Sequence, residues 1–168
     1  MDKIRIGISS CLLGNPVRYD GGHKLSRFLL DTLGRYIDYL PVCPEAECGM
    51  GIPREAMRLE GASDAPHLIT RFTGEDKTDI MIRWAKNRVA QLERENLCGF
   101  IFKSDSPSCG MERVKVYDDQ DTPATIGIGL FARIFMEYFP GLPVEEESRL
   151  CDATLRENFI ERISTFQR

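Results

Sequence analysis

The sequence predicts a single α/β domain over residues 1–168, Rossmann-like, with a mostly parallel β-sheet and flanking helices. Three observations predict it. Short β-prone segments alternate with longer amphipathic ones. A loop dense in hydroxyls directly follows a strongly apolar strand candidate, and two more loops rich in Gly, Pro and Cys stand at corresponding places. Finally, 168 residues with 42% apolar and 29% charged side chains suffice for one hydrophobic core without covalent staples.

The elements follow in order. Residues 4–9 (IRIGIS) place β-branched residues at alternate positions and read as a first strand. The loop SSCLLGNPVRYDGG follows, and a helix is predicted from about Lys24 to Leu33, ending near Gly34. Residues 36–42 approach a second strand, in which Pro41 argues for an edge or late position. After the loop CPEAECGMGIPRE, the segments MRLEG and HLITRF read as short strands around a turn at GASDAP. A long amphipathic helix is predicted from Thr73 to about Asn96, anchored by Ile80, Trp84, Val89 and Leu92, with Thr73 as N-cap. LCGFIFK (97–103) is an apolar strand followed by the loop SDSPSCGMERV. The second half of IGIGLFARIFMEYF suits a helix, as does LCDATLRENFIERISTF with Asp152 or Thr154 near its start.

Charge and hydropathy exclude some functions. No apolar run approaches the roughly 20 residues that span a bilayer, and the N-terminus lacks a signal-peptide pattern, so a cytoplasmic location is the expectation. The net charge of −4 argues against bulk nucleic-acid binding, which rests on neutralising phosphates. A local basic pocket is still compatible with it, because Arg18, His23, Lys24, Arg54, Arg58, Lys103, Arg113 and Lys115 lie near the three loops in sequence. Two or three such groups hold one nucleotide phosphate.

The six cysteines divide by context. Cys98 sits in an apolar strand candidate and reads as a buried structural thiol, and Cys151 reads as inert. Cys11, Cys43, Cys48 and Cys109 lie on the loops. Loop thiols of this number suggest Zn²⁺ or an iron–sulfur cluster. The spacings are long and no CxxC occurs, so neither is singled out. A cysteine nucleophile with a histidine partner, His23 before His67, is the rival reading. Glu45 and Glu47 follow Cys43 by two and four residues, which suits proton transfer beside a metal. Ser104, Asp105 and Ser106 precede Cys109 and suit orienting a substrate, or else capping a local turn.

The three loops read SxCLLGxxVRYDGGHK, PVCPExExGxGxPRE and FIFKSDSPSCGMExVKVY, across roughly residues 9 to 117. In this they resemble the thiouracil desulfidases, a bacterial and archaeal family long catalogued as domain of unknown function 523. The resemblance implies a [4Fe–4S] cluster on Cys11, Cys43 and Cys109 with one iron left open. Cys48 falls at a position that varies in the family, and many relatives carry a cysteine where this chain has Val17. The implied chemistry is non-redox, hydrolytic removal of sulfur from thiolated uracil, giving the uracil compound and sulfide. Glu45 is then the proton-transfer residue and Ser104 orients substrate or water, with Ser106, Asp105 and Glu47 as further candidates. Arg18, His23, Lys24 and Arg54 are candidates for holding the substrate. The sequence also resembles members that carry a second, C-terminal domain and act on thiolated tRNA. That domain is not found in these 168 residues, which points to a free thiouracil or to 4-thiouridine monophosphate. Desulfuration of thiolated tRNA by a larger protein, and a non-enzymatic metal module assisting RNA binding, are the alternatives.

Overall fold

The computed structural model describes residues 3–166. β1 (Ile4–Ser9) forms as its pattern predicts, with Ile6 and Ile8 fully buried. It pairs in parallel with β2 (Ile37–Val42) on one side and with β5 (Phe100–Phe102) on the other. β5 in turn pairs in parallel with β8 (Val144–Glu146), so the strand order is β2-β1-β5-β8. β2 is an edge strand, where the missing N–H of Pro41 costs no ladder bond.

A second sheet, which the sequence analysis did not separate from the first, has the order β4-β3-β6-β7. β3 (Met57–Ala62) and β4 (Ala65–Thr70) form the expected hairpin. β6 (Val114–Tyr117) lies parallel to β3, and β7 (Pro123–Gly127) runs antiparallel to β6. The expected parallel sheet therefore accounts for half of the strands, and the other half form a mixed one.

The helices are α1 (Pro44–Glu47), α2 (Thr78–Leu92), α3 (Leu130–Tyr138) and α4 (Ala153–Thr165). α4 starts as predicted, with the Asp152 carboxylate accepting from the Leu155 N–H at 3.0 Å. Two predicted helices are corrected. The segment from Lys24 stays non-helical until Arg27, and only a π turn (Phe28–Thr32) and a 3₁₀ turn (Leu33–Arg35) follow. The reason is tertiary: the Lys24 and Ser26 N–H groups donate to the carbonyls of Cys11 and Leu12, closing the first loop. α2 starts at Thr78 rather than at Thr73. Thr73 is held by the Glu55 carboxylate, and Asp76 accepts from the Thr78 N–H at 2.9 Å. Ile80, expected as an anchor, is exposed, while Met81 and Ala85 are buried with Val89 and Leu92.

Two apolar clusters flank the parallel sheet. On one face Phe100 and Phe102 meet Phe131 and Phe135 of α3 together with α2 and inward residues of the second sheet. On the other, Ile6, Ile8 and Ile101 meet Leu29, Leu33 and Phe159 and Ile163 of α4. Cys98 packs half-buried at the edge of this second cluster, and Cys151 is exposed. Among the described residues no helix is long and apolar enough to cross a membrane.

Candidate functional site

The ends of β1, β2 and β5 all open on one cavity of about 550 Å³, whose opposite wall is formed by β3 and β6 of the second sheet. Each strand delivers one cysteine to it. Cys11 lies in a 3₁₀ turn (Ser10–Leu13) directly after β1. Its carbonyl accepts from Gly14 at 3.2 Å and Lys24 at 2.9 Å, and Gly14 takes the left-handed φ of 89° that the tight exit requires. Cys43 is the N-cap of α1, after β2. Its N–H donates to the Glu47 carboxylate at 2.8 Å while its carbonyl accepts from the Glu47 N–H, so Glu47 folds back onto the helix start. Cys109 follows β5 in a loop turned by Ser106, whose Oγ accepts from the Ser108 and Cys109 N–H groups at 3.2 and 3.0 Å.

α3 docks onto that third loop. The N–H groups of Gly129, Leu130 and Ala132 donate to the carbonyls of Gly110, Pro107 and Ser108. Gly129 must be glycine for this approach, since a Cβ there would sit 2.6 Å from the Ser108 carbonyl carbon.

The thiols feel one another's charge, Cys11 with Cys43 and Cys109 with both. Burial pushes the Cys11 thiol up to about 11, with Lys103 pulling the other way. Burial also raises Cys43 and, more strongly, the more deeply buried Cys109. A thiol near 11 is thiolate in only about one part in ten thousand at pH 7, a poor free nucleophile. Neither histidine lines the cavity: His23 is exposed, and His67 pairs with Asp76 at 2.9 Å on the surface of the hairpin. The cysteine–histidine reading thus lacks its base.

A soft metal centre fits better, because coordination itself drives deprotonation of thiols. Among the described residues no three His, Cys, Asp or Glu side chains converge as a single ion demands. Ligands of one zinc stand within about 4 Å of one another. Three thiols from separate strand ends lining one cavity suit a multi-atom iron–sulfur cluster instead.

Beside the thiols stands Glu45, in the first turn of α1. Its Oε1 accepts from Arg54 Nε at 3.0 Å, and its Oε2 from Ser108 Oγ at 2.9 Å. Arg54 is 7% exposed and donates its other nitrogens to the carbonyls of Gly51 and Val17 at 2.8 and 2.9 Å. All three of its nitrogens are therefore engaged within the protein, and it ties the first loop to the second. Cys48 points its thiol at the Glu45 carbonyl, 3.4 Å away.

Of the residues singled out from sequence, the cavity wall brings together Cys11, Cys43, Cys109, Glu45, Arg18, Arg54, Ser104, Asp105 and Ser106. It does not include His23 or Lys24, which are exposed beyond its rim. Lys24 serves the site through its backbone alone. Sequence reasoning missed Ser108, Arg71 and Glu147. The hydroxyl density of the third loop was a signal for Ser108. Glu147 carried none, since the run PVEEES reads as a solvated face, yet its carboxylate accepts from both the N–H and the hydroxyl of Ser104.

Known proteins resemble this chain in fold and sequence. A solved [4Fe–4S]-dependent thiouracil desulfidase, TudS, superposes with a TM-score of 0.67 at 29% sequence identity, over 93% of this chain and 99% of that one. The uncharacterized protein YbbK of Bacillus subtilis (strain 168) is 32% identical over 111 residues, 61% of this chain and 71% of the relative. The family model described as 2-thiouracil desulfurase matches residues 6–147, the span that contains all three cysteine loops. The chain belongs to the 2-thiouracil desulfurase family.

Proposed function

We propose that this protein is a [4Fe–4S]-dependent desulfidase that hydrolytically replaces the sulfur of a small thiolated uracil compound by oxygen, with 4-thiouridine monophosphate as the leading substrate. One observation carries the reading: Cys11, Cys43 and Cys109, from three separate strand ends, face one cavity together with the fixed carboxylate of Glu45. When bound, the cluster supplies a Lewis-acidic, sulfur-seeking site for the thiocarbonyl.

The chain's own residues supply the rest. Glu45 is held by Arg54 and Ser108 so that its remaining lone pairs are free to accept a proton from the attacking water. Ser104 lines the same cavity and orients substrate or water. The volume of about 550 Å³ lies in the usual range of small-molecule sites. Arg18, Arg71 and Lys115 stand on its wall and provide the cations for a phosphate, while Arg54 is committed to Glu45. The acidic net charge of −4 supports a mononucleotide over a polyanion.

The test is anaerobic incubation of cluster-reconstituted protein with 4-thiouridine monophosphate, following loss of its near-ultraviolet absorbance together with sulfide release. Turnover that disappears in Cys11→Ala supports the assignment. An intact cluster with no turnover removes the mononucleotide from the proposal and leaves 2-thiouracil and thiolated tRNA to be tried.

A further inference from the structure

Ser104 and Ser106 both line the cavity, but their hydroxyls are wired in opposite senses. Ser106 Oγ accepts two backbone N–H groups, which leaves its proton free to donate. Ser104 Oγ instead lies 2.5 Å from Glu147 Oε1, and an ionised carboxylate can only accept. The single hydroxyl proton of Ser104 is thus spent on Glu147.

The arrangement is built rather than incidental. Glu147 directly follows β8, and its own N–H donates to the Phe102 carbonyl at 3.3 Å, extending the β5–β8 ladder. That bond delivers the side chain beneath the start of the third loop. Its Oε2 accepts the Ser104 N–H at 2.9 Å, so one carboxylate grips both the backbone and the side chain of a single residue. Lys103 completes the group. Its ammonium stands 3.3 Å from Glu147 Oε1, donates to the Ser104 carbonyl at 2.7 Å and reaches Ser104 Oγ at 3.4 Å, which leaves that oxygen one lone pair for the cavity. The Lys103 and Glu147 side chains are only 21% and 16% exposed.

We propose that Glu147 is a positioning residue for the desulfuration, acting through Ser104: it holds the hydroxyl proton away from the cavity, so that Ser104 meets the substrate as a hydrogen-bond acceptor. The partner it selects is a donor, the attacking water. This rests on the desulfidase reading above. A water whose O–H is accepted by Ser104 has its lone pair aimed elsewhere, which is the orientation needed for attack on the thiocarbonyl carbon. Glu147 does this from a position 43 residues away in the chain.

The test is a double-mutant cycle of Glu147→Gln and Ser104→Ala in cluster-loaded protein, with kcat and KM measured separately and iron content checked for each variant. In the wild-type background Glu147→Gln, whose amide can donate to Ser104 and turn its proton outward, is expected to lower kcat by about 10- to 100-fold, as loss of an orienting partner does elsewhere. KM is expected to move by less than about threefold, because the acceptor is needed for reaction more than for binding. In the Ser104→Ala background the same substitution is expected to change kcat by less than about threefold. Equal losses in the two backgrounds, or an unaltered kcat in Glu147→Gln, would overturn the proposal. If Glu147→Gln does not load its cluster, the cycle is run with Glu147→Asp, which keeps the charge opposite Lys103 and shortens the reach to Ser104. The same pattern of coupling is then expected, and equal losses again overturn it. Wild-type protein that fails to desulfurate any thiouracil compound sinks the desulfidase reading itself, whereas active wild type with an additive cycle sinks only the role of Glu147.

Discussion

Replacing Arg54 by Met keeps much of the side-chain volume and removes the charge that anchors Glu45. The pair is nearly enclosed, at 7% exposure for Arg54 and 15% for Glu45, with an Nε–Oε1 distance of 3.0 Å. Breaking such a pair from one side costs about 3–5 kcal/mol, because the surviving charge is left without its partner. Ser108 Oγ still solvates the other carboxylate oxygen, and the remaining exposure admits some water, which places the cost near the low end, at about 3 kcal/mol. The carbonyls of Gly51 and Val17 lose their guanidinium donors too, but the Gly51 bond is exposed and water replaces it. For a domain of this size about 3 kcal/mol lowers the thermal midpoint by about 6–12 °C. The assay is anaerobic unfolding followed by circular dichroism, with wild type and variant matched in iron content. Arg27→Met is the internal control. Its partner Asp31 lies 4.0 Å away and both side chains are largely exposed, so it is expected to shift the midpoint by no more than about 2 °C. Arg54→Met is also expected to lower kcat by about 100-fold, since Glu45 loses its fixed orientation. A shift no larger than that of Arg27→Met would refute the reasoning, showing that the Glu45–Arg54 pair contributes no more than a surface ion pair.

Three further outcomes are expected. Gly129→Ala drives a Cβ to 2.6 Å from the Ser108 backbone, so it should destabilise the fold by about 1–3 kcal/mol and reduce iron bound per chain, read by urea unfolding and iron analysis. Cys48→Ala should retain wild-type iron and sulfide content, whereas Cys43→Ala should lose the cluster; equal content in the two would overturn the assignment of ligands. Asp76 is held below its ordinary 3.8, first by its hydrogen bonds to Thr78 and further by His67. A carboxyl depressed on folding contributes stability that is present above its unfolded value and is lost as pH falls through the folded one. The stability gap between wild type and Asp76→Asn, measured by urea unfolding from pH 7 downward, should therefore stay wide until about pH 4 and then close. A gap that does not narrow in acid would show that the ionised carboxylate is not what stabilises the start of α2.

Much of the site was legible because its chemistry is concentrated in three local motifs. A strand followed by a glycine- or hydroxyl-rich turn with one cysteine is a pattern of short range, and short-range geometry is what a linear sequence encodes. Cys11, Cys43 and Cys109 therefore reach the cavity, and Glu45 comes with Cys43 because two residues on a single turn cannot be separated. Failures arose where a distant contact overrode local preference. The helix expected from Lys24 to Leu33 is largely missing because Lys24 and Ser26 spend their N–H groups on the first loop. His23 and Lys24 stand next to that loop in sequence but outside the cavity in space.

By itself the sequence determined the alternating α/β character, an edge or late position for Pro41 in β2, two short strands around a turn within residues 56–72, a start for α4 near Asp152 or Thr154, and the three thiol-bearing loops. Each depends on residues within a few positions of one another. Only the tertiary structure decided that a second, mixed sheet walls the cavity, that Arg54 is consumed by Glu45, and that Glu147 holds Ser104. The sheet rests on backbone pairing of Leu59 with Val116, and the other two are side-chain pairings across 9 and 43 residues; the partners are chosen by how sheets and loops pack, and an isolated acidic run such as Glu145–Glu147 looks the same in sequence whether it faces water or a buried hydroxyl.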